Sequence, residues 1–248
     1  MNPDLAICCA IKDCRPQYLL EWLRHHRALG IQRFYLYDNE STEPVDVTVK
    51  DVDFVRDIHV VPAPGWDITS QSGWYTDCCA RIREGSLPSC DWLLIIDDDE
   101  FLRCDSLDSM VAACGDHPGL ALSWRMIGTN GHVEYAPVPQ VERFTSVTGE
   151  DYGGNQHVKS MVDPRRVSKW TNTHCPEYVT GHAVDIRGRA VPGTFTPATH
   201  SVAWIDHYFT RSRGEFLARM DARNRRGRYP GPLNLEMLEH IDSACRPL

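Results

Sequence analysis

The chain has 248 residues, 42% hydrophobic and 24% charged, which excludes intrinsic disorder, collagen-like repeats and coiled coil. A net charge of −8 argues against bulk nucleic-acid binding. The longest apolar runs, Leu5 to Ile11 and Trp92 to Ile96, are far too short to cross a bilayer as a helix. With no secretory signal pattern at the start, a cytoplasmic chain is the expectation.

Leu5 to Ile11 is continuously apolar, which suits a parallel strand buried on both faces. Pro16 opens a helix where its missing N–H costs nothing, and Gly30 stands where a helix ends. Between them Leu19, Trp22, Leu23 and His26 recur at helical spacing. Strands are then expected over Gln32 to Asp38 and Phe54 to Val61, a helix over Ile68 to Glu84, and a strand over Trp92 to Ile96. A short helix near Leu107 to Cys114 and a strand over Leu120 to Ile127 follow.

Strands alternating with helices at this spacing imply βαβ units, hence an α/β fold with a mostly parallel central sheet. Beyond Gly128 come shorter strands and polar loops, then a strand over Ala203 to Phe209. Helices over Arg213 to Arg225 and near Leu233 to Ile241 close the chain. A single domain with two halves, 1–127 and 128–248, is expected. The ten cysteines include the doublets Cys8-Cys9 and Cys78-Cys79 in apolar stretches, and no CxxC. They read as buried thiols rather than a disulfide framework.

Ligands of open α/β sheets bind outside the carboxyl ends of the strands. Asp13, Asp38 and Asp97 stand at three such ends, although any one of them suits a helix cap equally well. Asp97-Asp98-Asp99-Glu100 differs, because four adjacent carboxylates need a compensating cation. In an extended chain Asp97 and Asp99 face one side and Asp98 the other. Such a pair of hard oxygen ligands suits Mn²⁺ or Mg²⁺. Phosphatases with an aspartate nucleophile also carry DxD after an apolar strand, but they want Thr or Val where Phe101 stands.

The stretches EWLRHHRALGIQRFYLYDNEST, DWLLIIDDDEFL and HYFTRSRGEF resemble glycosyltransferase family 92 and bacterial family-2-like glycosyltransferases. SWRMIGTNGH and HVKSMVDPRRV resemble the same group, and the matches run in order from about Cys8 to Arg226. The resemblance implies a GT-A type fold, Rossmann-like, with an irregular acceptor-side C-terminal half. It also implies a nucleotide-sugar donor, a DxD-bound cation and, as in characterised eukaryotic members, galactosyl transfer with inversion.

Carried over residue by residue, Asp97 and Asp99 become metal ligands and His207 the third. Asp38, Asn39 and Ser41 fall where the base and ribose of the nucleotide bind, and Lys12 and Asp13 are nucleotide-sugar candidates beside them, Lys12-Asp13-Cys14 standing where relatives often read Lys-Asn-Glu. Gln71 and Asp77, on the helix before the motif, and Asp98 are expected at the donor. Lys159 is a candidate for donor phosphate or acceptor. Seven arginines against two acids lie between Arg211 and Arg228; Arg211 and Arg213 are expected to reach the diphosphate. Arg219, Arg223, Arg225 and Arg226 mostly suit a solvated helix face, with peripheral membrane contact a minority alternative. Trp124, Asn130 and Gly131 are candidates for sugar or acceptor contact.

For the catalytic base the resemblance points to an acidic turn after the DxD, hence Asp151 with Glu150 next, while Glu142 and Asp163 stay open. The expected partners are a UDP-sugar and a glycan or lipid-linked glycan. Asn39-Glu40-Ser41 forms a glycosylation sequon in the presumed nucleotide pocket, which again favours the cytoplasm. Two alternatives remain. One is a non-catalytic nucleotide-sugar or glycan-binding protein on the same fold. The other is a nucleotidyltransferase, against which stands the absence of glycine in the turn after Ile11.

Overall fold

The structure, a computed structural model, describes residues 3–65, 69–225 and 235–248, with the side chains of 55 and 223–225 also outside the description. Strand β1 (Leu5–Ile11) carries Leu5, Ile7, Cys9 and Ile11 into one apolar cluster and Ala6 and Cys8 into another. That alternation is what a strand covered on both faces requires. Helix α1 (Pro16–Ala28) begins at its proline and buries Leu19, Trp22, Leu23 and His26, then the chain turns at Gly30 with φ +101°. Strand β2 (Arg33–Asp38) leads to a short helix α2 (Val45–Val49), which the sequence pattern did not reveal.

Strand β3 (Ile58–Pro62) starts four residues later than expected, because 55–57 form a 3₁₀ turn. Helix α3 (Ser70–Glu84) ends on Gly85 in the left-handed region and precedes β4 (Trp92–Ile95). An unexpected strand follows at once, β5 (Glu100–Cys104). Ser106 caps α4 (Leu107–Cys114), its hydroxyl accepting from Ser109 N–H at 3.0 Å.

The second half holds β6 (Gly119–Met126), α5 (Gln140–Arg143), β7 (Ser146–Thr148) and β8 (Val158–Val162). Short strands β9 (Val167–Trp170), β10 (Pro176–Tyr178), β11 (Ala183–Asp185) and β12 (Ala190–Val191) come next. The chain closes with β13 (Ala203–His207), α6 (Arg213–Arg225), α7 (Leu235–Ala244) and β14 (Cys245–Pro247). The first residues of the expected α3 and α7, Ile68 and Leu233, lie outside the described residues.

The central sheet has ten strands, in the order β12-β11-β6-β8-β4-β1-β2-β3, with β13 joining β6 and β5 joining β13. β8, β12 and β5 run against the rest, so the sheet is mostly parallel and flanked by helices. Helices α1, α2 and α4 pack on one face and α3 on the other. The strand order reverses between β1 and β4, which places a switch-point crevice at their carboxyl ends. All ten cysteines are free; Cys8, Cys9, Cys78, Cys79, Cys90 and Cys114 are buried, whereas Cys14, Cys104, Cys175 and Cys245 are only half-buried. Those four sit in loops or at element ends, Cys14 and Cys104 at the margin of the apolar core. No helix among the described residues is long and apolar enough to cross a membrane.

Candidate functional site

The acidic motif lies at that crevice, directly after β4. It is a tight turn, not the extended segment assumed from the sequence: Glu100 N–H donates to Asp97 O at 3.1 Å, and the Glu100 carboxylate accepts from Asp97 N–H at 2.8 Å. The turn fans the carboxylates apart, so the alternation expected for Asp97, Asp98 and Asp99 does not apply. Each reaches a different basic group. Lys159 Nζ, on β8, lies 2.8 Å from Asp97 Oδ2 and 3.3 Å from Glu100 Oε2. Arg211 approaches Asp98 at 3.7 Å, and Arg219 on α6 contacts Asp99 Oδ2 at 2.7 Å.

His207 reaches the site through strand register. β13 pairs antiparallel with β5, setting His207 opposite Glu100, and parallel with β6, setting it opposite Met126. Its Nε2 lies 3.4 Å from Asp99 Oδ1 and 4.0 Å from Glu100 Oε1. From α3, Gln71 donates to Asp97 Oδ1 at 2.9 Å, and Tyr75, one turn on, stands 3.4 Å from the same oxygen. The structure thus brings the DxD pair, Gln71, Asp98, Lys159, Arg211 and His207 together.

Burial works against charge on every carboxylate here, and the partners decide the outcome. Lys159 holds the Asp97 carboxyl below its ordinary range despite that burial. His207 and Arg219 likewise outweigh burial and hold Asp99 well below. Burial prevails at Asp98 in spite of Arg211, raising it. It also carries Glu100 up to about 7, against the pull of Lys159. For Lys159 the order reverses: burial disfavours its charge, but Asp97 and Glu100 raise its pKa.

Two residues escaped the sequence reading. Arg219 belongs to a group of four arginines that mostly suit a solvated helix face, yet Phe216, Arg219 and Met220 lie at i, i+3 and i+4, and both apolar neighbours are buried. That spacing is the signal that would have placed it. Glu100 is fully buried and bonds within the motif; its position in the acidic run alone gave no hint of this. Arg213 is exposed, and its backbone N–H donates to His132 O at 3.0 Å. Arg226 lies outside the described residues, as do the side chains of Arg223 and Arg225.

The loops after β1 and β2 are stitched together beside the crevice. Asp13 N–H donates to Ser41 Oγ at 3.1 Å, Thr42 N–H donates to Asp13 Oδ1 at 2.8 Å, and Lys12 Nζ donates to Glu40 O. Asp38 caps this loop, accepting from Ser41 N–H at 3.0 Å and Val45 N–H at 3.1 Å. Asn39 is buried, with Nδ2 donating to Ala63 O at 2.8 Å. Asp77 is engaged by Tyr37 OH and Arg81, each at 2.7 Å. The side chains of Asp38, Asn39 and Asp77 are therefore engaged within the fold, which leaves the backbone of 12–13 and 39–41 to line this side of the crevice.

Beside His207, the Trp124 ring packs against that imidazole (4.3 Å), stacks on His157 (4.8 Å, 17°) and meets His174 (5.3 Å). With three imidazoles around it, Trp124 is not an open platform; Phe195, 4.5 Å from His157, is the exposed ring here. Asn130 and Gly131 both have positive φ and form a turn, with Gly131 N–H on Thr129 Oγ1. Glu150 is exposed and accepts from His200 N–H at 2.6 Å, while His200 Nε2 is 2.9 Å from Trp124 O. Asp151 is exposed and folds back over Gly149. Asp163 follows Val162, which pairs with Leu93 near the start of β4, so it lies at the opposite end of the strands from the motif.

Residues 4–239 match glycosyltransferase family 92. The chain belongs to that family. A family 92 protein of Oryza sativa subsp. japonica is 31% identical over 101 residues, which cover 40% of this chain and 16% of the relative. One of Ricinus communis is 30% identical over 103 residues, 40% of this chain and 17% of the relative. The matched stretch thus spans about a sixth of the curated relatives' length. Among solved structures, HddC from Yersinia pseudotuberculosis has a TM-score of 0.48 at 9% identity, covering 87% of this chain and 97% of that one. Galactosyltransferase LgtC in complex with donor and acceptor sugar analogs has a TM-score of 0.32 at 16% identity, with coverage of 64% and 58%.

Proposed function

We propose that the chain transfers a hexosyl group, galactose favoured, from a UDP-sugar to a hydroxyl of a glycan or lipid-linked glycan, with inversion and with Mn²⁺ or Mg²⁺. Membership of family 92 supports a glycosyl transfer. The observation that carries the donor assignment is the buried acidic turn at the sheet's switch point, lined by Lys159, Arg211 and Arg219.

A hard divalent cation suits the donor types present. Among the described residues no ready group of three or more His, Cys, Asp or Glu is set to hold one. Asp99 Oδ1 and His207 Nε2 nevertheless face each other at 3.4 Å, and the buried Glu100 Oε1 and His207 Nδ1 make no hydrogen bond among the described residues. Asp99 and His207 would hold the cation, with Asp97 shared with Lys159. The cation, when bound, supplies neutralisation of the diphosphate leaving group.

This chain's own residues do the rest. Arg211 and Arg219, largely buried and fixed, offer planar guanidinium donors to phosphate oxygens. A carboxylate takes the proton of the acceptor hydroxyl as that oxygen attacks the anomeric carbon. Glu150 is favoured over Asp151 for this role, because His200 ties it to the Trp124 cluster beside His207. The Asn39 amide is buried against Ala63, so its sequon offers no free side chain to glycosylate in any compartment.

Calorimetric titration of UDP, with Mn²⁺ and with chelator, tests the reading on wild type and the Asp97→Ala/Asp99→Ala variant. Manganese-dependent binding that the variant loses is the expected result. Absence of UDP binding under every metal condition would rule out the UDP assignment.

A further inference from the structure

Lys159 has no role in the fold that an apolar residue would not fill better. It is wholly buried on β8, in a strand whose other residues are Val158, Ser160, Met161 and Val162. Burying an ammonium group is expensive unless it is closely paired, and its partners are the first carboxylate of the motif and Glu100. Arg219 does the same for the last aspartate of the motif, from α6. Four carboxylates, Asp97 to Glu100, thus face three fixed cations, Lys159, Arg211 and Arg219. Two buried ligand-type atoms of this nearly balanced cluster, Glu100 Oε1 and His207 Nδ1, make no hydrogen bond among the described residues, and His207 Nε2 stands 4.0 Å from that Glu100 oxygen.

We propose that Lys159 and Arg219 are internal counter-ions that stand where a divalent cation would bind Asp97 and Asp99, so that the cation binds well only together with a nucleoside diphosphate. The charge balance requires it. A divalent cation entering alone adds two positive charges to a cluster already close to neutral and must compete with an ammonium and a guanidinium for their oxygens. A diphosphate brings compensating negative charge, and it gives Lys159 and Arg219 new oxygen partners as they release Asp97 and Asp99. Cation and nucleotide therefore favour each other's binding to the same degree. The proposal rests on the nucleoside diphosphate assignment above for its second ligand, but its first half concerns the metal alone.

Mn²⁺ binding is measured by electron paramagnetic resonance, for the metal alone and with saturating UDP, on wild type, Lys159→Gln and Arg219→Gln. For wild type, UDP is expected to tighten Mn²⁺ binding at least tenfold. Each variant is expected to bind Mn²⁺ alone at least tenfold more tightly than wild type and to lose most of the UDP effect. Arg219 is partly exposed, so its variant keeps the test decisive if Lys159→Gln does not fold, as judged by circular dichroism. Mn²⁺ binding alone that is unchanged or weaker in the folded variants overturns the proposal. A failure of UDP to bind any form overturns the UDP assignment instead, while the metal-alone comparison still decides the counter-ion role.

Discussion

Arg125 closes a two-pronged ion pair on the fully buried carboxylate of Asp206, with Nε 2.6 Å from Oδ1 and Nη2 2.9 Å from Oδ2. The two residues sit opposite each other in the β6–β13 register, and Arg103 on β5 adds a third contact at 2.8 Å. One carboxylate therefore ties three strands together immediately before His207. Asp206→Ala leaves two arginines facing an emptied pocket, and loss of one partner of a buried pair costs about 3–5 kcal/mol. Urea denaturation is expected to show a loss in that range, with weaker Mn²⁺ binding as His207 loses its register. A loss under about 1 kcal/mol would mean that the pair behaves as a surface bridge.

The acidic turn is held from behind as well. Trp22 Nε1 donates to Glu100 O at 2.7 Å, and the neutral His26 ring accepts from Leu102 N–H at 3.1 Å while its Nδ1 bonds Trp22 O at 2.8 Å. Helix α1 thereby satisfies backbone groups of β5. Trp22→Phe keeps the apolar bulk but leaves the buried Glu100 carbonyl without this donor, at a cost of about 1–3 kcal/mol. Equal stability of variant and wild type in chemical denaturation would show that the carbonyl finds another partner.

His174 gives the fold a defined acid limit. Burial, then the nearby Lys159 charge, lowers its pKa from 6.5 to about 4, against a hydrogen bond to Val158 O that favours the charged ring. The unfolded chain thus holds more protons than the folded one between those values. Its contribution to stability is complete above pH 6.5 and is lost as pH falls towards 4. A single group of this kind adds a slope of at most about 1.4 kcal/mol per pH unit. His174→Asn is expected to flatten the dependence of unfolding free energy on pH across that window. An unaltered slope would assign the acid sensitivity to other groups.

What the sequence revealed of all this follows from how local each feature is. β1 and α1 were legible because an apolar run and a helical repeat are local patterns, and the structure buries them accordingly. β5 was hidden because Glu100 to Cys104 carries its identity in pairing with β13, a segment a hundred residues away. The motif was legible as chemistry but not as shape, since the turn closes through the Glu100 side chain on Asp97 N–H. Lys159 was singled out, yet its partnership with Asp97 depends on β8 inserting antiparallel between β4 and β6, which no local pattern announces. At Asp38, the carboxylate takes the ordinary capping role, accepting from Ser41 and Val45 N–H.

Gly128 locks the last segment of the chain onto the sheet. A Cβ there would lie 2.8 Å from Asp242 Oδ1 and Cys245 Sγ and 2.9 Å from Ser146 Oγ. Asp242 cannot swing away freely, because it accepts from Thr129 N–H and Oγ1, each at 2.7 Å. Gly128→Ala therefore overpacks the junction of β6, β7 and α7, a change that costs about 1–3 kcal/mol. The strain falls on the β7–β14 pairing, from Cys245↔Thr148 to Pro247↔Ser146, rather than on the switch-point crevice. Hydrogen exchange is expected to quicken in residues 235–248 while β1 and β4 keep wild-type protection. Faster exchange in β1 and β4 as well would show that the closing segment supports the whole sheet.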